Sequence, residues 1–228
     1  CVNKKIFYKV VDSGQKPEES SIVHNAIEID EKQDKFNENL IDFDKKEIVL
    51  GMMSRIDSHK GHIATIHALK KLNQESDKKF KLKIAGNGDY KKNLEEEIMK
   101  LDLAKNVEFV DWVENKKEFF DGIDIFLSPS DNETFGLVLL ESAANSTPII
   151  TSNTDGSKEV IRKDKDGIIV NLLPKVTFGA RISDAITDLI GDEEKAKEMA
   201  KNAHERLLKR FSFNNLEMNL ESLFGKSD

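Results

Sequence analysis

Residues 131–141 read Asp-Asn-Glu-Thr-Phe-Gly-Leu-Val-Leu-Leu-Glu, shortly after the apolar run Ile123-Asp-Ile-Phe-Leu127. The run predicts a buried strand, and the apolar spacing that continues through Ala144 predicts a helix. The two are joined by a strand-to-helix turn, the place where an open α/β sheet presents ligands to the carboxyl ends of its strands. Gly136 keeps the backbone bare where the helix starts, and the free N–H groups of its first turn make an anion site.

Two carboxylates lie in this segment, Glu133 just before the helix and Glu141 within it. If all eight residues from Glu133 to Glu141 were helical, at roughly 100° each, the two side chains would point within about 80° of each other and lie roughly 12 Å apart along the axis. Both carboxylates can therefore flank one elongated ligand whose phosphates lie at the helix N-terminus. The alternative is an exposed loop acid and a helix-surface acid. For Glu141 that alternative is weaker, because a Glu in a buried helix normally needs a partner. Its apolar neighbours are Leu137, Leu139, Leu140, Ala143 and Ala144.

The composition indicates a soluble globular protein, since 38% of the 228 residues are hydrophobic and 34% are charged. The net charge of −7 argues against nucleic acid as a partner, because there is no basic excess to neutralise phosphates. The single cysteine, Cys1, excludes an intrachain disulfide and fits a reducing compartment. There is no apolar run long enough to span a membrane and no signal peptide. Because the first residue is Cys rather than Met, we expect a fragment of a longer protein.

From residue 47 onward, predicted strands and helices alternate with short connections. This alternation predicts an α/β fold, a Rossmann-like doubly wound parallel sheet with helices on both faces and extra C-terminal helices. The predicted strands are residues 48–53, 80–85, 107–110, 123–127, 148–151 and 167–170. Besides the helix after Gly136, helices are predicted at residues 60–74, 89–101, 115–120, 157–161, 178–190, 192–208 and 213–223. Residues 1–20 carry a weak helical pattern, residues 21–24 predict a short strand, and residues 29–46 predict a polar connecting arm.

Two cations follow the first strand: Arg55 leaves its tip and Lys60 opens the next helix. At the carboxyl edge of a sheet both can reach one diphosphate. Arg can donate two parallel hydrogen bonds to it, and Lys contributes a compact positive charge. At the tip of the second strand, Gly86, Asn87 and Gly88 make a bare turn where a ring or a ribose can approach closely. Taken singly, solvated cations and an ordinary turn are the simpler interpretations. Three strand tips that converge on one edge favour a ligand site.

Other chemistries find little support in the sequence. No Gly-x-Gly-x-x-Gly follows the first strand and there is no Walker A sequence, so a dinucleotide oxidoreductase or a P-loop enzyme is unsupported. His59 and His62 have no third ligand nearby and are interpreted as helix-surface histidines. Asp164-x-Asp166 has the form that holds a divalent metal in some sugar transferases, but before Gly167 it predicts a turn. No Ser-His-Asp or Cys-His set can be placed.

Taken together, these residues resemble the C-terminal, nucleotide-sugar-binding half of a GT-B fold glycosyltransferase, most of all the family-4 group of retaining hexosyltransferases. The resemblance covers about residues 22–213. The motifs that carry it are Arg-x4-Lys-Gly at 55–61, Ala-Gly-x-Gly at 85–88, Glu-x7-Glu at 133–141 after Pro129-Ser130, Asn25-Ala-Ile-Glu28 at the hinge, and Gly156-Ser-Lys-Glu-Val160 near the sugar. The sequence departs from the family pattern at Ser54 and Ala26, where Gly is usual, and at Asn145-Ser146, where Cys-Gly is usual. None of these departures removes a charged contact.

The resemblance implies three parts. Residues 1–46 would be a remnant of the N-terminal domain with a connecting arm, residues 47–210 the nucleotide-sugar-binding domain, and residues 211–228 a crossover helix that returns toward the N-terminal domain. The apolar face of that helix should be partly exposed or covered by residues 1–20. Because the whole enzyme has an N-terminal domain of similar size that binds the acceptor, the fragment alone is expected to be inactive.

The resemblance also implies a role for each candidate residue. Arg55 and Lys60 would stabilise the leaving diphosphate, Glu141 would hold the ribose hydroxyls, and Glu133 would lie beside the donor sugar. The implied catalytic residues are Glu133, Arg55 and Lys60, and the implied donor-binding residues are Arg55, Lys60, Gly86, Asn87, Gly88, Phe135, Gly136, Leu137 and Glu141. No metal or cofactor is implied, because two cations and a helix dipole would stabilise the negative charge of the leaving diphosphate. The donor, a UDP- or GDP-sugar, is a substrate.

The implied function is the donor-binding domain of a bacterial-type enzyme that transfers a hexose, with retention, to a cell-envelope glycan or glycolipid such as lipopolysaccharide. The full-length enzyme would be cytoplasmic or peripheral at the cytoplasmic face of the membrane, with no nucleic-acid partner. Two alternatives stay open. One is a sugar-nucleotide epimerase of the same fold, which needs acid and base residues that the sequence does not single out. The other is a nucleotide-sugar-binding module without catalysis.

Overall fold

The computed structural model describes residues 12–14, 16, 21–30, 33–110 and 113–224. Cys1 and most of the helical pattern predicted in residues 1–20 lie outside these residues. In the described part of the chain, a six-stranded parallel sheet lies between two layers of helices. The strands are β1 Glu47–Met53, β2 Lys79–Ala85, β3 Val107–Val110, β4 Ile125–Ser128, β5 Ile149–Ser152 and β6 Ile168–Val170. The helices are α1 His62–Glu75, α2 Lys91–Lys100, α3 Lys116–Asp121, α4 Leu137–Ala144, α5 Asp155–Val160, α6 Phe178–Ile190, α7 Glu193–Arg210 and α8 Phe213–Phe224, with 3-10 turns at Glu38–Leu40 and Lys175–Thr177.

The order of the strands determines where a ligand can bind. The sheet runs β3-β2-β1-β4-β5-β6, and each neighbouring pair is parallel. The chain starts at β1 in the middle, moves outward to β3, and returns to place β4 on the other side of β1. The direction of winding therefore reverses between β1 and β4. Open α/β sheets bind ligands at such a switch point, outside the carboxyl ends of the strands.

Burial of the strands explains why this sequence forms a covered parallel sheet. β4 and β5 are buried along their whole length, as expected for strands with helices on both faces. β2 alternates instead, with Phe80, Leu82 and Ile84 buried and with lysines between them. One apolar cluster joins the sheet to α1, α2 and α6, and a second joins it to α3 and α4, while α7 contributes to both. The predicted fold class is confirmed, and every predicted strand and helix from residue 47 onward lies within two residues of its observed bounds.

The strand predicted at residues 21–24 is wrong, because these residues have no regular secondary structure. The segment instead contacts the end of α7 through one isolated bridge between Ile27 and Ser212. The Ile27 N–H donates to the Phe211 carbonyl at 2.9 Å, and the Phe213 N–H donates to the Ile27 carbonyl at 3.2 Å. A single bridge does not provide the series of backbone hydrogen bonds that a strand needs. The apolar residues of the segment therefore pack without forming a strand.

The start of α1 also differs from the prediction, which placed Lys60 in the first turn of the helix. α1 begins at His62, and Gly61 before it has a left-handed φ of 75°. A Cβ at Gly61 would lie 2.2 Å from the Pro129 carbonyl oxygen, so the two strand-tip loops can touch only because this residue is glycine. Lys60 therefore lies on the β1–α1 loop, facing the loop that follows β4.

The C-terminal helix α8 has an apolar face that the described residues leave partly uncovered. Phe213, Met218, Leu220 and Leu223 are all exposed. This agrees with the expectation of partial exposure for the crossover helix. The expected cover by residues 1–20 falls largely outside the described residues.

Candidate functional site

A cleft of about 540 Å³ opens at the carboxyl edge of the sheet, at the switch point between β1 and β4. The end of β1 and the loop after it form one wall, and the start of α4 with the loop before it forms the other. Asn25 reaches the rim from the N-terminal segment. The lining residues are Asn25, Met52, Met53, Ser54, Arg55, Lys60, Leu127, Ser128, Ser130, Glu133, Thr134, Phe135, Gly136, Leu137 and Val138.

The wall at α4 is formed by backbone that only particular residues allow. Gly136 precedes the helix with a left-handed φ of 92°, and Phe135 beside it is buried. Gly156 supports the loop from behind: its N–H donates to the Glu133 carbonyl at 3.0 Å, and a Cβ there would lie 2.6 Å from the Phe135 nitrogen. The N-terminus of α4 therefore faces the cleft from a closely packed loop, in the place the sequence predicted for an anion.

Lys60 and Glu133, both predicted to act on the ligand, form an ion pair across the cleft. Their Nζ and Oε2 atoms are 3.2 Å apart and both side chains are mostly buried. The loops that carry them are tied by the Asp131 N–H, which donates to the His59 carbonyl at 2.9 Å. The sequence predicts that both residues lie at the cleft. Because they are 73 residues apart, it does not indicate that they pair with each other there.

Arg55 is paired in the same way, with an acid that the sequence analysis did not single out. Its guanidinium donates to Asp57 at 2.9 Å, and its side chain is 76% exposed. Asp57 also accepts the His59 N–H at 2.8 Å. Burial acts to raise the pKa of Asp57, but the bonds from the His59 amide and the Arg55 guanidinium outweigh it and lower that pKa below its usual value. The position of Asp57, two residues after Arg55 in a tight loop, was the available signal for this contact.

Glu141 lies on α4, one turn beyond the cleft-lining residue Val138. Its side chain is 16% exposed, and its Oε1 accepts a hydrogen bond from the Lys116 Nζ at 2.6 Å. The expectation that a Glu in this helix needs a partner is confirmed. The partner begins α3, twenty-five residues earlier, and no local sequence signal indicates it.

The glycine turn after β2 lies outside the cleft lining and packs against the loop that carries Arg55. A Cβ at Gly86 would lie 2.1 Å from the Ser54 carbonyl oxygen, and one at Gly88 would lie 2.2 Å from the Ile56 carbonyl oxygen. The Asn87 carbonyl accepts the Ile56 N–H at 2.9 Å. These glycines are therefore required by the contact between two strand-tip loops. Ligand contact at Gly86, Asn87 and Gly88 stays a prediction.

The histidine pair is only partly on the surface. His59 is exposed and lies 3.2 Å from Asp131, but the surface position predicted for His62 is wrong. His62 is only 1% exposed, because it starts α1 on the side that packs against the β1 tip, where its Nε2 lies 3.4 Å from the Ser54 hydroxyl. Burial lowers its pKa to about 4.

The described residues contain no group of three or more His, Cys, Asp or Glu side chains placed to hold a metal ion. Asp166 of the Asp-x-Asp sequence is fully buried and accepts two bonds from the Arg162 guanidinium, at 2.8 and 2.6 Å. The turn predicted there is confirmed, since residues 164–166 are a hydrogen-bonded turn between α5 and β6. Its acid is structural.

A doubly wound parallel sheet with helices on both faces and a cleft at its switch point defines the class of Rossmann-like domains. Within this class, the chain belongs to the glycosyl transferases group 1 family, whose family model matches residues 31–206.

Individual relatives agree with this assignment. The lipopolysaccharide core biosynthesis glycosyltransferase LpsE of Rhizobium meliloti is 27% identical over 72% of this chain. The structure of Anabaena HepE in complex with UDP and glucose superposes with a TM-score of 0.83 over 98% of this chain, at 19% identity. The C-terminal domain of the group 1 family protein LpcC from Francisella tularensis covers 83% of the chain with a TM-score of 0.63, at 22% identity. The structural matches support a GT-B C-terminal domain. The chain spans 46% of the length of LpsE, 61% of HepE and 96% of the LpcC domain.

None of the helices in the described residues combines the length and the apolar composition that a membrane span requires.

Proposed function

We propose that this chain is the donor-binding domain of a retaining hexosyltransferase of the family-4 type. The enzyme transfers a hexose from a UDP- or GDP-sugar to a glycan or glycolipid acceptor, without a metal or a cofactor. The observation that carries the proposal is the convergence of Arg55 and Lys60 on one cleft, opposite the wall that holds Glu133 and the N-terminus of α4. A diphosphate is the ligand that two cations and a row of free N–H groups fit best.

In this proposal the cations act on the leaving group. As the glycosidic bond breaks, negative charge grows on the diphosphate, and fixed positive groups that face it lower the barrier. Arg55 supplies a fork and Lys60 a point charge, while the amides around Phe135, Gly136 and Leu137 add partial positive charge. These groups supply the charge that a metal ion would otherwise supply, which supports the absence of a metal requirement.

Binding of the donor would exchange the partners of the two ion pairs at the cleft, Lys60–Glu133 and Arg55–Asp57. A diphosphate attracts Lys60 away from Glu133, with which it pairs at 3.2 Å. Glu133 then has both oxygens available to the hydroxyls of the donor sugar, which lies beyond the phosphates. Arg55 exchanges Asp57 for phosphate in the same manner. Each exchange replaces one charge-assisted bond by another, so the buried charges keep a partner throughout.

We assign the ribose hydroxyls to Glu141, which lies one turn along α4 from the phosphate end of the cleft. A carboxylate that accepts hydrogen bonds from both ribose hydroxyls favours ribose over deoxyribose. With deoxyribose, one of these hydrogen bonds cannot form. The glycine turn at residues 86–88 remains our candidate for contact with the nucleoside.

The acceptor and the other wall of the active site belong, in this proposal, to a second domain. Residues 1–46 and 211–228 connect to it, and residues 47–210 form the donor domain. The length of the chain relative to LpsE and the exposed apolar face of α8 support this division. We place the enzyme in the cytoplasm, in peripheral contact with the membrane that holds a lipid-linked acceptor.

Two measurements test the proposal. Calorimetry of this chain with UDP, GDP and ADP should show binding of at least one nucleoside diphosphate, unchanged by EDTA, and no sugar transfer. The two-domain enzyme that contains the chain should transfer sugar from the matching donor, and NMR of the product should show the anomeric configuration of the donor. A changed sugar without transfer would indicate the epimerase, and an inverted product would refute retention.

A further inference from the structure

Lys116 forms one of the shortest ion pairs near the cleft, and the proposed function gives it no role. Its Nζ lies 2.6 Å from Oε1 of Glu141. An exposed pair of this kind adds little to stability, because water competes for both charges and the long side chain loses freedom. Lys116 is 53% exposed, so its contribution to folding is small.

Both ends of this pair are fixed by rigid elements. Lys116 is the first residue of α3, whose N-cap Asn115 accepts the Glu118 N–H. Phe119 and Phe120 of the same helix are buried in the apolar cluster that also holds α4. The position of Lys116 relative to Glu141 is therefore set by core packing, which is the condition under which one side chain can orient another.

Among the described residues, Lys116 is the hydrogen-bond partner of the Glu141 carboxylate through Oε1, and Oε2 has no such partner there. A carboxylate held by one oxygen keeps a single orientation, and its second oxygen can accept a hydrogen bond from a ligand hydroxyl.

We propose that Lys116 is a positioning residue that gives the site its selectivity for ribose over deoxyribose nucleotides. It acts through Glu141, and the inference rests on the proposed function in that Glu141 is taken to accept the ribose hydroxyls. Without Lys116 the carboxylate rotates freely toward solvent, and the bond to the 2′-hydroxyl loses its fixed acceptor. The loss should fall on the ribose contact, because the hydrogen bond of Lys116 goes to Glu141.

Calorimetry tests this with UDP and 2′-deoxy-UDP, or with GDP and 2′-deoxy-GDP if guanine is preferred. The variants are Lys116→Ala, Lys116→Arg and the matched control Lys117→Ala, which removes the neighbouring lysine that pairs with Asp121 of its own helix at 2.6 Å. The measured quantity is the ratio of the dissociation constants of the deoxy and ribose forms. Wild type and Lys117→Ala should share a ratio of roughly tenfold or more, the scale of one charge-assisted bond. Lys116→Ala should lower that ratio at least about threefold with little change for the deoxy form, and Lys116→Arg should keep most of it.

Three outcomes overturn the inference. In the first, Lys116→Ala keeps the wild-type ratio. In the second, it weakens both nucleotides equally, which would place Lys116 on the phosphate or base. In the third, the wild type itself shows no preference for ribose. Failure of the proposed function looks different, because the wild-type chain would then bind no nucleoside diphosphate of either kind.

Discussion

Replacing Gly156 by alanine should distort the cleft from behind without removing a charged side chain. The added Cβ would lie 2.5 Å from the Glu133 carbonyl oxygen and 2.6 Å from the Phe135 nitrogen. Both atoms belong to backbone, so no side chain can rotate to make room. Ordinary contact, at 3.4 Å or more, requires the loop at residues 133–135 to retreat by about 0.9 Å, which also strains the bond from the Gly156 N–H to the Glu133 carbonyl.

The expected cost follows from this displacement. Forcing a methyl group into a packed site destabilises a protein by about 1–3 kcal/mol, so urea unfolding should show a loss in that range. The retreat also carries Glu133 and the amides before α4 away from the ligand. Because hydrogen bonds weaken steeply with distance and angle, affinity for the nucleoside diphosphate should fall roughly three- to tenfold.

Gly122→Ala is the matched control. At Gly122, which lies between α3 and β4 away from the cleft, the atom nearest to an added Cβ is the flexible end of Lys83, and backbone lies no closer than 3.5 Å. Calorimetry and urea unfolding should find this variant close to wild type. If Gly156→Ala is as stable as Gly122→Ala and binds the nucleotide equally well, the loop is not braced by Gly156 and the geometry given for the α4 wall is wrong.

Further predictions concern the two glutamates and a buried histidine. Glu141→Gln should raise the dissociation constant of the free nucleoside diphosphate. Glu133→Gln should leave that constant nearly unchanged and instead reduce turnover in the two-domain enzyme, because the contact proposed between Glu133 and the sugar would strengthen in the transition state. Calorimetry that finds the larger loss of affinity in Glu133→Gln would reverse these roles. Burial lowers the pKa of His62 to about 4, so between pH 6.5 and pH 4 the unfolded chain binds a proton that the folded chain does not bind. The free energy of unfolding should therefore decrease as the pH falls from 6.5 toward 4, by at most roughly 3 kcal/mol. Urea unfolding at several pH values should show a weaker pH dependence in His62→Gln than in the exposed-site control His67→Gln, and equal slopes would contradict the burial.

The sequence was sufficient to predict the sheet because each strand is a short apolar run or, as in β2, a stretch that alternates apolar and charged residues, and each is followed by a helical period. α6 was predicted at its observed ends, residues 178–190, since Phe178 starts its apolar face and Gly191 follows its last residue. The prediction failed at residues 21–24, where the short apolar pair Ile22-Val23 has no strand beside it among the described residues.

The candidate site was predicted as a set of residues but not as a set of contacts. Charge and position identify Arg55, Lys60 and Glu133 as cleft residues, because the carboxyl ends of parallel strands meet at one edge. Which cation meets which acid depends on loop conformations, such as the left-handed Gly61 that moves Lys60 out of the helix and toward Glu133. The Lys116 contact arises because α3 and α4 share one apolar cluster, which local sequence does not encode.

The central claim is that Arg55 and Lys60 hold a nucleoside diphosphate at the switch point of the sheet. The most direct measurement is calorimetry of the Arg55→Ala/Lys60→Ala double variant with the preferred diphosphate, beside the control Lys79→Ala/Lys81→Ala, which removes the same charge from β2. Each cation contributes about 1.5–3 kcal/mol as a charge-assisted bond, and loss of Lys60 also leaves Glu133 facing the phosphates, so the double variant should bind at least about a hundredfold more weakly. The control should bind as wild type does. Equal affinity in the two double variants would contradict the account and place the ligand elsewhere.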